Sequence, residues 1–439
     1  MSITYSSQSE RLPSPPSGKN PSMNVQSNPF LFESAALSHL PGFGAVRTTQ
    51  FAGYLSVGDS AGGWLYFWFS EAGDHPEKAP LLVWINGEPE WSALDAMLDE
   101  HGPYLLDPPG RVYSNPFSWH HHANLLVIDQ PLGQGLSFTT HPRYLPENHD
   151  EASQQLYHAL QEFLLRWPRY RERDCYLFGS AAAAHSIARL AHRVLDGNSG
   201  GQPPIPLKGL GLGNPQLAPE IQLPSHIEYA YQHRLINLDE KNRAQSMLDE
   251  FIRAYASPIA LQRQLASQTA IEIDRFMQHC CGRDLRDIRH PPQKPSKTLG
   301  EYLKKPSVQQ ALHIDRRSNN ELQPQSGLMA EAAGLENSSH LLPALLDQLK
   351  VLFFHGECCM AGNYLGLDAW LNTQTCPQAD AFRQQKRQAW RPYGLAAGLI
   401  RSHGNLSQII IQNAGLRVAR DQPAAAQAML RDFLCGSEA

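Results

Sequence analysis

Cys175-Tyr176-Leu177-Phe178-Gly179-Ser180-Ala181-Ala182-Ala183-Ala184-His185-Ser186-Ile187-Ala188-Arg189-Leu190 is the stretch that decides the fold. A short apolar run, 175–178, enters Gly179, and an alanine-rich segment, 181–195, follows. Alanine is the strongest helix former, so the reading is a buried strand, a sharp turn and a helix. The same grammar recurs on both sides. Upstream, Pro80-Leu81-Leu82-Val83-Trp84-Ile85 stops at Asn86-Gly87, and 123–129 stops at Gln130-Pro131. Between those runs and the opening stretch, Leu156, Leu160, Phe163 and Leu164 give helical spacing over 150–167. Downstream, 207–212, 349–354 and 408–412 read as further buried strands, and 51–57 with 64–69 as a hairpin around the turn at 58–63. Strands alternating with helices predict an α/β protein with a doubly wound, mostly parallel sheet.

One stretch breaks the alternation. Residues 215–344 carry helical segments over 221–233, 240–255 and 259–275, then a Pro/Lys-rich piece around 291–304, and no convincing buried strand. They read as a helical insertion capping a core made of 28–214 and 345–439. Residues 1–27 are polar and Ser/Pro-rich, which reads as a disordered leader, and they lack the apolar region of a secretory signal.

The 439 residues are 42% hydrophobic and 18% charged, ordinary for a globular chain that buries a large core. A net charge of −5 gives no electrostatic footprint for nucleic acid or an anionic membrane. Seven cysteines, including the neighbours Cys280-Cys281 and Cys358-Cys359, make no disulfide framework and point to reduced thiols in the cytoplasm. The sequons at Asn337 and Asn405 point the other way, though such tripeptides are common by chance.

The turn after Gly179 has the layout of a nucleophile elbow, where a serine is exposed at the top of a sheet. Its apex here is Ala181, and a methyl group cannot attack a carbonyl. Other motifs follow in order. Asn86-Gly87-Glu88-Pro89-Glu90-Trp91-Ser92, Glu100-His101-Gly102-Pro103, Asn115-Pro116-Phe117-Ser118-Trp119 and Asp129-Gln130-Pro131-Leu132-Gly133-Gln134-Gly135 precede the elbow. Gly213-Asn214-Pro215 and the run from Tyr302 to Leu312 follow it. Together they resemble the serine carboxypeptidase family of the α/β-hydrolase class, from about residue 38 to 435.

That resemblance implies a site, position by position. The nucleophile of G-E-S-Y-A-G falls on Ala181, the acid of G-D-x-D on Cys359, and the histidine of N-A-G-H on Leu416. None of the three can play its expected role. The glycine that supplies an oxyanion donor falls on Glu88, whose side chain would repel an oxyanion. In the family's carboxyl-recognition set, Trp84, Asn86 and Glu100 remain, while the glutamate beside the nucleophile falls on Ser180.

Each altered residue has a functional and a plain structural reading. Glu88 and Glu90 are a candidate acid/base pair, or two solvated charges on a loop. Cys359 is a candidate thiol, or an inert buried cysteine now that no histidine ionises it. Arg417 is a candidate anion binder or partner of Glu88 or Glu90, or else a structural salt bridge or an exposed arginine. His120-His121-His122 sit where three side chains cannot easily face one metal, and His185 reads as packing, so no metal and no cofactor are expected.

Two functions follow. One is a repurposed, non-hydrolytic catalyst of specialised metabolism. It would perform proton transfer, elimination, cyclisation or isomerisation on a small organic acid or amide held by Trp84, Asn86, Glu100, Ser180 and Arg417. The other is a non-catalytic pseudopeptidase that binds a ligand or partner. The changes cluster at the former site while the scaffold motifs persist, which favours the first. Neither reading implies an oligomeric state.

Overall fold

The computed structural model describes residues 36–57, 62–87, 92–108, 110–292, 297–318 and 335–436. The leader 1–27 and the hairpin turn 58–61 lie outside them. Apolar runs become strands here because helices cover both faces of the central sheet. In chain order the strands are β1 (Gln50–Ser56), β2 (Gly63–Ser70), β3 (Leu81–Ile85), β4 (Asn124–Ile128), a short β5 (Phe138–Thr139), β6 (Cys175–Ser180), β7 (Leu207–Gly213), β8 (Lys350–Gly356), β9 (Gln388–Trp390), β10 (Gly398–His403) and β11 (Leu406–Ile411).

They form one sheet in the order β9-β10-β11-β8-β7-β6-β3-β4-β2-β1, with β5 beside β2. The middle six, from β11 to β4, are parallel. Antiparallel strands close each edge. This is the α/β-hydrolase arrangement, and β6 lies near its centre, between β3 and β7.

Two helices pack behind the centre. α1 (His149–Arg166) starts at Asn148, whose side chain accepts the Glu151 amide at 2.9 Å as an N-cap. α2 (Ala183–Ser199) follows the turn after β6. Leu156, Leu160 and Phe163 of α1 and Ile187 and Leu190 of α2 meet Val83, Leu177, Leu210 and Phe353 of the sheet in one buried cluster.

Between β7 and β8 runs the helical cap of α3 (Pro219–Gln232), α4 (Leu238–Tyr255), α5 (Ala260–Cys281), α6 (Lys297–Leu303) and α7 (Pro306–Ala311), followed by α8 (Leu342–Leu346), whose leucines join the core of the sheet. It has a core of its own, with Tyr229, Phe251, Ile273 and Met277 buried together. Asn237 and Glu240 form a capping box at the start of α4. The helix expected to stop near 275 runs on to Cys281, because no breaker intervenes before Gly282, which adopts the left-handed φ of +62°. After β8 come α9 (Tyr364–Thr373), α10 (Pro377–Gln384), α11 (Val418–Asp421) and α12 (Pro423–Cys435). Among the described residues no helix is long and apolar enough to cross a membrane.

The tightest point of the sheet is where β6 ends. A Cβ on Gly179 would stand 2.3 Å from the Ile85 carbonyl oxygen, which is backbone and cannot swing away. Gly179→Ala is therefore expected to cost about 3 kcal/mol or more of stability by urea denaturation. Unchanged stability would mean that β3 and β6 are not in this register.

Candidate functional site

Ala181 follows β6 with φ = +50°, the left-handed region that costs a residue with a Cβ roughly 1–2 kcal/mol. Its N–H donates to the Gly213 carbonyl at 2.8 Å, tying the apex to β7, and its side chain is buried. This is why α2 begins at Ala183 and not at 181 as the sequence suggests. The sharp turn of a nucleophile elbow is present with no nucleophile on it. Gly87 allows the preceding loop to lie on this turn, since a Cβ there would fall 2.1 Å from the Ser180 carbonyl oxygen and 2.2 Å from the Ala183 nitrogen.

The loops after β8 and β11 bring the other two positions to the same place. The Cys358 N–H donates to the Ala414 carbonyl at 2.7 Å and the Cys359 N–H to Gly356 at 3.1 Å. Ala181, Cys359 and Leu416 then pack into one buried apolar cluster, with Ala361 against it. All seven cysteines are described and none forms a disulfide.

The cap reaches over this cluster. The Leu416 N–H donates to the Arg286 carbonyl at 2.8 Å, Ile288 to Cys358 at 3.0 Å, and Met360 to Leu285 at 2.8 Å. Arg289 pairs with Asp421 of α11 at 2.7 Å. The segment after α5 is thus laced to both loops by backbone hydrogen bonds. Among the described residues one small cavity, bordered by Trp84, Glu100, Trp119, Ser180, Leu416 and Arg417, has a volume of about 10 Å³, room for roughly one water.

Arg417 takes the structural salt-bridge role, with partners that no motif singled out. Its partners are Glu100 at 2.6 Å and Asp99 at 2.9 Å, with Asp95 at 4.0 Å. Arg420 reaches Asp99 as well, at 3.1 Å. Burial would lower the Arg417 pKa, but these carboxylates outweigh it and hold the guanidinium firmly charged, above its ordinary value. Asp95 is farthest from it. Burial, with Glu100, Asp99 and Asp129 adding and Arg417 opposing, pushes its carboxyl up to about 7. Glu100, expected to help hold a small organic acid, instead neutralises Arg417, the stronger partner for a buried carboxylate.

The other expected binding groups are also turned inward. Asn86 accepts the Gly87 N–H at 2.9 Å and donates to the Ser92 carbonyl at 3.5 Å. Trp84 is buried and meets His101 with ring centroids 4.3 Å apart, and His101 stacks on Trp119 at 4.2 Å. Burial, then Arg417, pushes the His101 imidazole down to about 3. Ser180 borders the small cavity. Glu88 and Glu90 lie outside the described residues. Among the described residues no group of three potential ligands is placed to hold a metal.

Buried Asp129 shapes the loop from below. It accepts from the Ser92 hydroxyl at 2.8 Å, the Leu136 N–H at 2.9 Å and the Ala93 N–H. Its place in an ordered D-Q-P motif was the only sequence signal for this role. Asp95 and Asp99 gave no signal at all, since they face Arg417 across more than 300 residues of chain.

A profile of the serine carboxypeptidase family matches residues 41–436. The chain belongs to that family. Similar relatives include serine carboxypeptidase-like 47 of Arabidopsis thaliana, 28% identical over 88% of this chain and 78% of its own length. The pheromone-processing carboxypeptidase KEX1 of Phytophthora infestans is 27% identical over 91% of this chain and 71% of its own. The solved structure of KEX1, a prohormone-processing carboxypeptidase from Saccharomyces cerevisiae, matches with a TM-score of 0.78 at 20% identity, covering 89% of this chain and 92% of that one, a likeness of fold. In this serine carboxypeptidase family member, the three positions assigned to the triad are the three residues of the apolar cluster.

Three outcomes follow from the strain and from the charges. Ala181→Gly should stabilise the protein by up to about 1 kcal/mol in urea, since glycine removes the left-handed penalty and returns part of it as chain entropy. A marked loss would show that the turn is not strained. Arg417→Met should cost about 3 kcal/mol, the penalty of leaving carboxylates buried without their cation. Asp95 titrates at about 7 in the folded protein, above its ordinary 3.8, so its contribution to stability falls as pH rises between those values. Asp95→Asn should flatten that fall in denaturation midpoints; an identical slope in the variant would contradict the assignment.

Proposed function

We propose that this serine carboxypeptidase family member does not release C-terminal residues by nucleophilic catalysis, and works as a non-catalytic, partner-binding pseudopeptidase. The observation that carries this reading is the packed cluster of Ala181, Cys359 and Leu416 under the segment 285–289. A hydrolytic centre needs a nucleophile, a base and an orienting acid in hydrogen-bond reach, and triad members act as a unit. The cluster offers a methyl, a thiol and an isobutyl group. Of the binding groups once expected to greet a ligand, Glu100 and Arg417 are paired with each other and Asn86 is bonded within its own loop, and the small cavity beside them suits one water.

A second reading has one observation in its favour. Asp95, beside cavity-lining Glu100, titrates near neutrality, the range useful to a general acid or base. On this reading the protein is a repurposed, non-hydrolytic catalyst acting on a small carboxylic acid or amide. Benzoate separates the two. A small acid that binds in the cleft beside Glu100 shifts the Asp95 titration seen by carboxyl NMR, and the pseudopeptidase reading expects no shift.

The relatives carry the names of carboxypeptidases, so peptides with free C-termini are the substrates to try. Incubated with a mixed peptide pool between about pH 4 and 8, where carboxyl and histidine groups titrate, the protein should release no C-terminal residue by mass spectrometry. Ala181→Ser should be equally silent, because a serine without a base is a poor nucleophile. Release by the unmodified protein that scales with its concentration would overturn the proposal.

A further inference from the structure

Behind the elbow, α1 and α2 bring two histidines together that the site does not use. His149 and His185 are 5% and 1% exposed, with ring centroids 5.0 Å apart. Residues 335–341, which lead from the cap to α8, lie across them. The His185 Nδ1 is 2.5 Å from the Ser338 hydroxyl, and the His149 Nε2 is 3.6 Å from the Glu336 carboxylate. Arg189 of α2 pairs with the same Glu336. Asn337 donates to Glu220 of α3, the Ser338 N–H donates to the Leu217 carbonyl at 3.0 Å, and His192 of α2 meets the Leu341 carbonyl at 2.9 Å.

The charges around the pair leave little room for another cation. Arg189 stands beside both rings. Its neighbour Arg193 is already answered by Asp150 of α1 at 2.7 Å. Among the described residues Glu336 is the one carboxylate paired with either histidine, and Arg189 holds it. Glu220 is committed to Asn337. Burial, then Arg189, pushes the His149 imidazole down to about 4. Burial, then His149 and Arg189, takes His185 well below its ordinary value.

We propose that residues 335–341 form an acid-released strap: protonation of the His149–His185 pair expels the strap from α1 and α2 and loosens the join between cap and sheet. A proton on His149 places a cation next to Arg189. A second on His185 places another 5.0 Å away, ring centre to ring centre. Hydrating both imidazoles is the cheapest relief, and the strap is the covering piece that gives way. It has only one short turn of helix, Ser339–Leu341, whereas α1 and α2 are held along their lengths by the core. The sign is fixed by the direction of the shifts. Both imidazoles are less basic when folded, so the strap is fully fastened above their ordinary value of 6.5 and released as pH falls from there toward 4.

Hydrogen exchange of the full chain, read by mass spectrometry at about pH 7 and about pH 5 and corrected for intrinsic rates, tests this. His149 alone, titrating at about 4 in place of 6.5, predicts roughly twentyfold more opening at the lower pH. Peptides covering 335–346 should lose protection about tenfold or more, while those of α4 should not. The variant His149→Phe, with or without His185→Asn, should flatten the change. Equal corrected protection of the strap at both pH values in the unmodified protein overturns the proposal. So does a drop that survives removal of both histidines.

Discussion

A guanidinium taken out of water must have its charge answered within a few ångströms, and at Arg417 three carboxylates from one short segment do so. This contact joins the loop after β11 to the turn at 95–100, two regions distant in sequence that frame the cleft beside the elbow. It fixes where Leu416 can lie, because its neighbour is pinned on one side and its own N–H is held by the cap on the other. It also consumes Glu100. An arginine free in the cleft would attract an anionic ligand; one answered by several carboxylates does not. The excess acid of the group then falls on Asp95, which relieves it by holding a proton near neutral pH.

The rest of the cleft follows from close approach. Gly87 lets one loop rest on the Ser180–Ala183 turn, and Gly356 lets the loop after β8 rest on Gly415, whose carbonyl oxygen would be 1.9 Å from an added Cβ. Those contacts hold with alanine at the apex of the turn. The elbow itself keeps its left-handed apex. Strain is ordinarily retained where surroundings over-determine it, and here the hydrogen bond from Ala181 to Gly213 and the packing of α2 do so without help from catalysis.

Much of this was legible beforehand. Central parallel strands buried on both faces must be nearly continuous apolar runs, so 80–85, 123–129 and 207–212 announced β3, β4 and β7 within a residue or two. The edge strands β9 and β10 were missed because Gln388–Trp390 is too short to show a period and Gly398–His403 mixes polar with apolar residues on a half-exposed edge. The three altered positions could be found because motifs flank each of them. Their mutual contact could not, nor could the partners of Arg417. Motif order offered Glu88 and Glu90 as acids of the site and gave no hint that Asp99 and Glu100 lie within ion-pair distance of Arg417. The inward turn of Asn86 was equally hidden, since a side-chain hydrogen bond to its own loop leaves no mark in composition. His185 read as packing, and only the fold placed a second histidine and an arginine beside it.

The central claim is that no activated nucleophile remains in this cleft. A fluorophosphonate probe, which bonds covalently to activated serines, tests it most directly when the folded full chain is read by intact mass. The account predicts no added mass after prolonged incubation, with an active serine hydrolase labelled in parallel. A stoichiometric adduct that maps to a serine bordering the cleft, Ser180 above all, would contradict it.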